Sequence, residues 1–358
     1  MVMTGTHEFL ATTGVRLPIF QAPMAGVSSP ALAAAVSEAG GLGALGLGAA
    51  GVDAAGRMIA ELKARTALPF NLNVFCHSPS VRSAETESAW IARFGGHFAA
   101  QGGTPPAALQ EIYRSFNVDR AMTALLLATR PKVVSFHFGL PPGDTVQALR
   151  AAGIVLLCSV TSLSEGRAAM AAGVHAVIAQ GYEAGGHRGI FDPRAPDDQL
   201  STAALVQILV RHLTLPVIAA GGIMDGAGIA AALTLGAAAA QLGTAFVACD
   251  ESLADDAYRT ALTGEPGYHT VMTSALSGRP ARCLANSYTE LGRQIPVGDV
   301  PDYPVAYDLA KALHAAAKQN GQTGYAAQWA GQGAPLARRM PAGELVRVLA
   351  SELAQGTG

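Results

Sequence analysis

The chain of 358 residues is half apolar and only 14% charged, so it can bury a large core and is too apolar for a disordered protein. Its net charge of −2, with no basic run, argues against nucleic acid or an anionic membrane as a partner. The four cysteines lie far apart and form no C-x-x-C motif, which favours reduced thiols in a cytoplasmic protein over disulfides or a zinc site. The N-terminus lacks the basic and then apolar pattern of a signal peptide.

Short apolar runs alternate with Ala-rich helical segments along the chain. Most runs are continuously apolar rather than alternating, as strands buried on both faces are. Several of the helical segments begin at a Ser, Thr or Asp suited to N-capping. Eight strands with intervening helices predict an α/β fold, a (β/α)8 TIM-type barrel. The predicted strands are residues 19–24, 42–48, 70–75, 133–138, 154–160, 176–181, 217–222 and 238–244.

The repeat is uneven, and its irregular parts are candidate walls of an active site. Residues 76–132 predict a helical insertion in a barrel of residues 1–250, and residues 183–200 predict a loop. Residues 251–358 are expected to pack helices on the barrel and to cap the active site, which in this fold lies at the carboxyl ends of the strands. Residues 229–249 carry no charge, but their alanines and polar breaks predict a buried helix and strand rather than a membrane span. No G-x-G-x-x-G follows the first strand, which argues against the rival doubly wound sheet.

The segment after the sixth predicted strand combines glycines with polar side chains. From residue 180 to residue 189 it reads Q-G-Y-E-A-G-G-H-R-G. Gln180 can both donate and accept hydrogen bonds, as the edge of a heterocycle requires. Gly185 and Gly186 have no Cβ, so their backbone can come close to a ligand, and His187 follows directly. The segment therefore predicts a loop in which His187 touches the bound molecule.

Two further strand ends predict a phosphate site. Gly221 and Gly222 end the seventh predicted strand, and Gly243 and Thr244 end the eighth. TIM barrels often hold a phosphate between the loops after these two strands, where backbone N–H groups and a helix N-terminus provide a positive field. The alternative is that both ends are only tight strand-to-helix turns.

Residues in three other predicted strands are further candidates. Asparagine is disfavoured inside a strand, so either Asn71 or Asn73 is expected to face a ligand. Met24 ends the first strand, where it can pack beside a flat ring. His137 alternates with two aromatic residues in S-F-H-F-G and points away from them, which favours the pocket over a structural role.

A predicted helix near the C-terminus carries two tyrosines and a lysine. Tyr303, Tyr307 and Lys311 are spaced by four residues, which places them on one helical face. An ordinary amphipathic helix explains the same spacing equally well.

Four motifs together resemble those of nitronate monooxygenases, formerly called 2-nitropropane dioxygenases. They are Q-A-P-M-A-G, S-F-H-F-G, Q-G-Y-E-A-G-G-H-R-G and P-V-I-A-A-G-G-I. The last two also occur, more loosely, in related FMN barrels such as NADH:quinone reductases and FMN-dependent enoyl reductases. S-F-H-F-G and the set of Tyr303, Tyr307 and Lys311 are similar to the bacterial class I enzymes.

The resemblance implies one non-covalent FMN and no metal. It implies a reaction of alkyl nitronates, notably propionate 3-nitronate, with O2, as in nitroalkane detoxification. One electron would pass from the nitronate to oxidised FMN, forming an anionic flavin semiquinone, and oxygen chemistry would yield a carbonyl compound and nitrite. The residues placed near FMN are Met24, Asn71, Gln180, Gly185, Gly222, Gln241, Leu242, Gly243 and Thr244. The residues placed around the substrate are His187 and His137, as catalytic groups, with Tyr113, Tyr303, Tyr307 and Lys311.

An anionic substrate favours fixed positive charge, which His187, His137 and Lys311 can provide. His187 could also serve as a base if neutral nitroalkanes are used. The alternatives are an FMN-dependent NAD(P)H:quinone reductase on the same barrel, a barrel isomerase or aldolase with a phosphorylated substrate and no flavin, and a non-catalytic flavin-binding protein. The sequence leaves open the physiological nitronate and whether the chain forms a homo-oligomer.

Overall fold

Eight parallel strands form a barrel in the computed structural model, which describes residues 2–356 and the side chains of residues 7–356. Each barrel strand pairs with its neighbours in parallel, in the order β1-β9-β8-β6-β5-β4-β3-β2. The strands of the described chain are β1 (Ile19–Gln21), β2 (Gly43–Gly46), β3 (Phe70–Phe75), β4 (Val133–His137), β5 (Val155–Val160), β6 (Ala176–Gln180), β7 (Gly186–His187), β8 (Val217–Ala220), β9 (Ala239–Leu242), β10 (Thr270–Thr273) and β11 (Ala281–Leu284).

The barrel closes between its first two strands. The backbone N–H of Gln21 donates to the carbonyl of Leu42 over 2.9 Å, and the N–H of Leu42 donates to the carbonyl of Ile19 over 3.0 Å. The prediction of a TIM-type barrel is confirmed, and the doubly wound alternative is excluded. The strands are shorter than their apolar runs, because residues beyond each strand's carboxyl end turn into the loops of the site.

Helices surround the barrel and follow its strands in the expected alternation. Those of the described residues are α1 (Val2–Thr13), α2 (Pro30–Glu38), α3 (Val52–Arg65), α4 (Ala84–Ala100), α5 (Arg120–Thr129), α6 (Gly143–Ala151), α7 (Leu163–Ala172), α8 (Thr202–His212), α9 (Gly226–Thr234), α10 (Thr244–Val247), α11 (Asp256–Thr263), α12 (Ser287–Gly292), α13 (Val305–Gln319) and α14 (Ala342–Gly356). Helix α14 packs against both α9 and α2. The outer ring of the barrel therefore continues beyond residue 250 and is completed by the C-terminal helix.

Local signals in the sequence explain where these helices begin. The side chains of Ser29, Ser162, Ser201 and Asp225 each accept the N–H of the residue three positions later. Each bond satisfies a backbone donor that has no partner within its helix. The predicted capping pattern is thus present in the structure.

Apolar side chains fill the lower half of the barrel and leave its upper end free. Phe20, Leu42, Leu157, Ile178 and Ile218 are buried inside the lower barrel. Helix α1 packs beneath them through Phe9 and Leu10. Such packed layers make a barrel interior a core rather than a channel, so a ligand has room only at the carboxyl ends of the strands.

The irregular segments meet above that end. Residues 183–200, predicted as a loop, contain the short strand β7, which pairs with β11 in a three-stranded antiparallel sheet. Helix α4 of the 76–132 segment packs against α13. The uncharged stretch 229–249 forms parts of α9, β9 and α10, as predicted. Across residues 2–356, we find no helix that is both long and apolar enough to cross a membrane.

Candidate active site

A cavity of about 700 Å³ opens at the carboxyl ends of the barrel strands. Its size lies within the roughly 300–1,000 Å³ of ordinary cofactor and ligand sites. Asn73, Ser135 and Ser159 line its floor, and residues of α13 and of the 325–333 loop line its roof. The predicted site residues on its wall are Met24, Tyr113, His137, Gln180, Gly185, His187, Gly222, Gln241, Gly243, Thr244, Tyr303, Tyr307 and Lys311.

Two residues that the resemblance placed near FMN do not line this cavity. Asn71 shares the inward face of β3 with Asn73 but lies deeper, where its Nδ2 donates to Ser135 Oγ over 2.9 Å. Its Oδ1 is buried without a partner in the described residues. Leu242 alternates with Gln241 along β9, so its side chain points outward into the core between strands and helices. Asn73 and Gln241 are the members of these two strands that face the cavity.

The backbone of His187 is held by two side chains of the barrel. Its carbonyl oxygen accepts from Gln180 Nε2 over 2.9 Å and from His137 Nε2 over 3.1 Å. Because a carbonyl only accepts, His137 must carry its proton on Nε2. Gln180 Oε1 accepts the N–H of Gly189 over 2.6 Å. The geometry therefore gives His137 a positioning role toward His187, in addition to its place on the cavity wall.

The imidazole of His187 lies among aromatic rings. Its Nε2 is 2.8 Å from Ser277 Oγ, and its ring centroid is 4.9 Å from Trp329 and 5.3 Å from Tyr303. We find no hydrogen bond to Nδ1 within the described chain, and the ring lines the cavity. Nδ1 is thus the ring nitrogen available to a ligand.

Burial sets the charge of both site histidines. It lowers the pKa of His187 to about 3, with further lowering by His137, Arg279 and His77. Burial likewise lowers the pKa of His137 to about 4. With these lowered pKa values both imidazoles are neutral at pH 7, which argues against the expectation that they provide positive charge. Each can still donate or accept a hydrogen bond.

The predicted tyrosine and lysine set reaches the cavity from one side. Tyr303 precedes α13 and is 5% exposed, and its hydroxyl is buried with no partner in the described residues. Burial raises the pKa of Tyr303 well above its ordinary value, so the hydroxyl remains a neutral donor. Lys311 Nζ is 2.9 Å from the hydroxyl of Tyr113, and Lys311 is exposed at the mouth of the cavity. Because an unpartnered buried hydroxyl is costly, Tyr303 is suited to a ligand that accepts its proton.

The opposite end of the cavity is built from glycine backbone. Gly221 and Gly222 have φ values of 133° and 71°, which favour glycine. A Cβ at Gly221 would lie 2.6 Å from Thr202 Oγ1, whereas at Gly222 the nearest atom would be Glu183 Cβ at 3.4 Å. Thr244 Oγ1 accepts the N–H of Gly331 over 3.0 Å, so its own O–H remains free to donate. This end offers donors and space for an anionic group such as a phosphate.

A buried ion pair fixes the loop that carries His187. Arg188 is 1% exposed, its Nε is 2.8 Å from Asp197, and its Nη1 donates to the carbonyl of Gln180. Burial alone would raise the pKa of Asp197, but hydrogen bonds from Arg188 and from the N–H of Gln199 outweigh it and lower that pKa. The stabilisation is therefore present above the unfolded-state pKa of about 3.9 and is lost as the pH falls through the lower folded-state pKa.

Asp197→Asn is expected to lower the free energy of unfolding by about 2–3 kcal/mol, because it leaves the buried Arg188 without its counter-charge. The side chain of Asp197 is 21% exposed, so water replaces part of the interaction and the loss stays below that of a fully buried pair. Urea unfolding measures the change. Asp192→Asn in the same loop is the control, since Asp192 accepts the backbone N–H of Arg194 and forms no ion pair among the described residues. Equal losses in both variants would contradict the prediction.

Sequence reasoning missed three residues of this site. Trp329 contacts His187, and its signal was a rare aromatic residue within the glycine- and glutamine-rich loop of residues 326–341. Ser277 contacts the imidazole from a turn that nothing in the sequence connects to His187. His77 follows β3 at its carboxyl end, is buried, and packs with its ring centroid 5.0 Å from that of Tyr303. Its position after a barrel strand was the available signal.

The fold and the cavity define a TIM-barrel enzyme whose site has a glycine-lined end and an aromatic end. Comparison with known proteins shows to which family within this class the chain belongs. A family model described as nitronate monooxygenase matches residues 7–352. A nitronate monooxygenase from Paraburkholderia phytofirmans is 56% identical over 98% of this chain and 96% of its own length. The chain belongs to the nitronate monooxygenase family and is an oxidoreductase.

Two further comparisons agree with this assignment. A nitronate monooxygenase from Pseudomonas aeruginosa is 50% identical over 97% of this chain and 99% of its own length. The crystal structure of a nitroalkane oxidase from Streptomyces ansochromogenes is similar with a TM-score of 0.90 and 42% identity, and the match covers 97% of this chain and 98% of that one. The family resemblance drawn from the sequence motifs is therefore confirmed.

Proposed function

We propose that this protein is an FMN-dependent nitronate monooxygenase that converts alkyl nitronates such as propionate 3-nitronate, with O2, to a carbonyl compound and nitrite. The observation that carries the proposal is one cavity with two complementary ends. The glycine-lined end suits the phosphate of FMN, and the other end presents the unpartnered Tyr303 hydroxyl beside a neutral His187. Family membership supports the same reaction.

The residues at the glycine-lined end fit FMN. Gly222 and Gly243 leave space on the cavity wall, and Thr244 has a free O–H for a phosphate oxygen. The amide of Gln241 makes no hydrogen bond within the described residues, so it is free for the polar edge of a ring. Met24 packs beside Gly243, where it can cover the face of that ring. When bound, FMN supplies the redox chemistry, while the protein binds and orients the reactants.

The residues at the aromatic end fit a nitronate. The Tyr303 hydroxyl can donate to a nitro oxygen, and His187 can contact the substrate through Nδ1. A nitronate is already deprotonated, so it requires no strong base. Since its pKa is about 3, His187 is a weak base toward a neutral nitroalkane. The structure therefore favours nitronates over neutral nitroalkanes as substrates.

Nitrite release from propionate 3-nitronate under air tests the proposal, with the visible spectrum of the purified protein recorded in parallel. We expect a yellow protein that releases FMN on heating and produces nitrite. A colourless protein that takes up no FMN would favour the isomerase or aldolase alternative. Prompt flavin bleaching by NADH without oxygen, together with no nitrite, would favour the quinone reductase.

Lys311→Met is expected to raise the KM for propionate 3-nitronate about three- to fivefold and to leave that for ethylnitronate nearly unchanged. Lys311 lines the mouth of the cavity and forms no ion pair with the described residues, so its ammonium is available to the carboxylate that only the first substrate carries. Its exposure limits such a pair to roughly 0.5–1 kcal/mol.

Lys318→Met is the matched control for this measurement. Lys318 lies on the same helix and lines the outer cavity, but its Nζ is 2.9 Å from Asp255 and is already paired. We expect Lys318→Met to leave the ratio of the KM values for propionate 3-nitronate and ethylnitronate unchanged. Equal effects of Lys311→Met on both substrates would show that Lys311 acts on the nitro group or merely holds α13 in place.

A further inference from the structure

Arg279 is a buried cation without a counter-charge in the described residues. It is 3% exposed and lies in the turn between β10 and β11. Its Nη2 donates to the carbonyls of Ile190 and Phe191, while its Nε is buried with no partner. Burial lowers its pKa to about 10, so the guanidinium stays charged at neutral pH. A buried charge without a counter-charge lowers the stability of the folded protein, unless another charged group, such as one on a bound ligand, compensates it.

Two other arginines near the site are also buried, but their donors are better satisfied than those of Arg279. Arg282 forms no ion pair with the described residues, yet its Nε and Nη2 donate to the carbonyl of Tyr182 and its Nη1 donates to Thr270 Oγ1. Arg188 is paired with Asp197. The acidic groups that act on Arg279 from a distance are already engaged: Glu165 accepts from Thr161 and from the N–H of Phe191, Asp192 accepts the N–H of Arg194, and Asp302 pairs with Arg194. Among residues 7–356, no carboxylate lies within ion-pair distance of Arg279.

Two short paths connect Arg279 to the site. Its Cζ lies 4.4 Å from the ring centroid of Phe138, and the edge of that ring meets the imidazole of His187 at a centroid distance of 5.6 Å. Through the turn, Ser277 Oγ contacts the backbone N–H of Arg279 over 3.4 Å and is 2.8 Å from His187 Nε2. The guanidinium therefore lies behind Phe138 and Ser277, which separate it from His187 on the wall of the cavity.

We propose that Arg279 is a positioning residue that acts together with burial to keep His187 neutral, and that it places behind His187 a fixed positive charge whose counter-charge is the anionic substrate. The second half of the proposal rests on the proposed nitronate reaction. The first half concerns the protein alone, because it states that the charge of Arg279 adds to the effect of burial on the pKa of His187.

The groups that face His187 determine in which direction its pKa changes when Arg279 is replaced. They are His137 from β4, His77 after β3, Arg279 from the β10–β11 turn, and Tyr303 and Tyr307 from the α13 side. Burial lowers the pKa of His187 most, His137 lowers it next, and Arg279 lowers it further. Removing the charge of Arg279 therefore raises this pKa, while a lysine at the same position preserves the effect.

The test is an NMR titration of protein labelled with ¹³Cε1-histidine, in which the His187 signal is identified by its absence in His187→Asn. In the wild type we expect this imidazole to stay neutral down to about pH 5, below which acid protonation begins. In Arg279→Met and Arg279→Gln, the onset of protonation should move to higher pH, whereas Arg279→Lys should keep the wild-type curve. The glutamine variant retains a donor for the Ile190 carbonyl, so it separates lost charge from lost hydrogen bonding if the methionine variant does not fold.

Arg282→Met is the matched control, since Arg282 is also 3% exposed but does not act on the pKa of His187. It should leave the titration unchanged. An unchanged curve in both uncharged Arg279 variants, or a wild-type His187 that titrates near its ordinary pKa of about 6.5, would overturn the proposal. Because no turnover is needed, this result is independent of whether the protein oxidises nitronates.

Steady-state kinetics test the second half. Arg279→Met and Arg279→Gln should each raise the KM for a nitronate on the order of 10-fold to 10²-fold, with a smaller change in kcat. In Arg279→Lys the KM should lie close to that of the wild type. An unchanged KM in an enzyme that does release nitrite would show that the substrate is not the counter-charge. If kcat falls and KM rises in the uncharged variants, and Arg279→Lys restores neither value, the role of Arg279 is merely structural.

Discussion

Gly222→Asp is expected to yield a folded protein that no longer retains FMN. Gly222 opens onto the cavity, and the nearest atom to an added Cβ is Glu183 Cβ at 3.4 Å, so the new carboxylate has room and projects toward the proposed phosphate site. At about 4 Å and an effective dielectric constant near 20, each pair of unit charges repels by roughly 4 kcal/mol. This repulsion corresponds to about a 10³-fold loss of affinity or more. Flavin content after gel filtration and FMN titration of the apoprotein measure it.

Gly222→Asn separates charge from backbone strain in this experiment. Gly222 has a φ of 71°, where asparagine is better tolerated than most residues and has nearly the size of aspartate. We expect the asparagine variant to retain FMN with modestly weakened affinity. If both variants lose FMN equally, strain or bulk at this turn is responsible. If the aspartate variant binds FMN normally, the phosphate lies elsewhere in the cavity.

The barrel and the position of its site could be predicted because both depend on local patterns. Continuous apolar runs alternated with capped helices. The glycines at residues 222 and 243 stood at the ends of predicted strands, and Gly185 lay in the loop after the sixth predicted strand. In a barrel of parallel strands, such strand ends converge at one rim. Chain order alone therefore brought Gln180, His187 and Thr244 into one predicted site.

The charges within the site could not be predicted, because they depend on contacts between distant parts of the chain. His187 and His137 are neutral because of burial, and the burial of His187 comes partly from Trp329 and Tyr303, more than 100 residues later in the chain. Arg279 is unusual because its Nε has no partner among the described residues and its acidic neighbours bind other groups, and no sequence motif indicates either feature. Lys311 was expected to provide positive charge beside the substrate, and its position on α13 leaves it exposed at the mouth of the cavity.

The depth of Asn71 shows a further limit of reasoning from strand patterns. Asn71 and Asn73 share one face of β3, so alternation predicts that both point into the barrel. It does not tell which of them lies at the level of the cavity. That level is set by the height at which apolar residues such as Phe20 and Leu157 stop filling the interior. The packing of other strands therefore decides that Asn73 lines the cavity.

His187→Asn is expected to retain FMN and to lower the rate of nitronate oxidation on the order of 10²-fold or more. The imidazole lies between Ser277 and the aromatic rings, with Nδ1 directed to the ligand space, whereas the glycine-lined end does not contact it. An asparagine amide can hydrogen-bond near the position of Nδ1 but cannot exchange a proton at neutral pH. Single-turnover and steady-state rates with propionate 3-nitronate, at matched flavin content, measure the loss.

His187→Gln is the companion variant, because its longer side chain places an amide near Nε2 and can keep the contact with Ser277. If proton exchange or charge stabilisation by the imidazole is required, both variants lose the rate. If only a hydrogen bond at Nδ1 is required, the asparagine variant stays active and the glutamine variant does not. Wild-type turnover in both, with flavin fully bound, would show that His187 is structural. With its pKa near 3, the wild-type imidazole keeps one charge state between pH 5 and 8, so its own titration should cause no change in kcat/KM across that range.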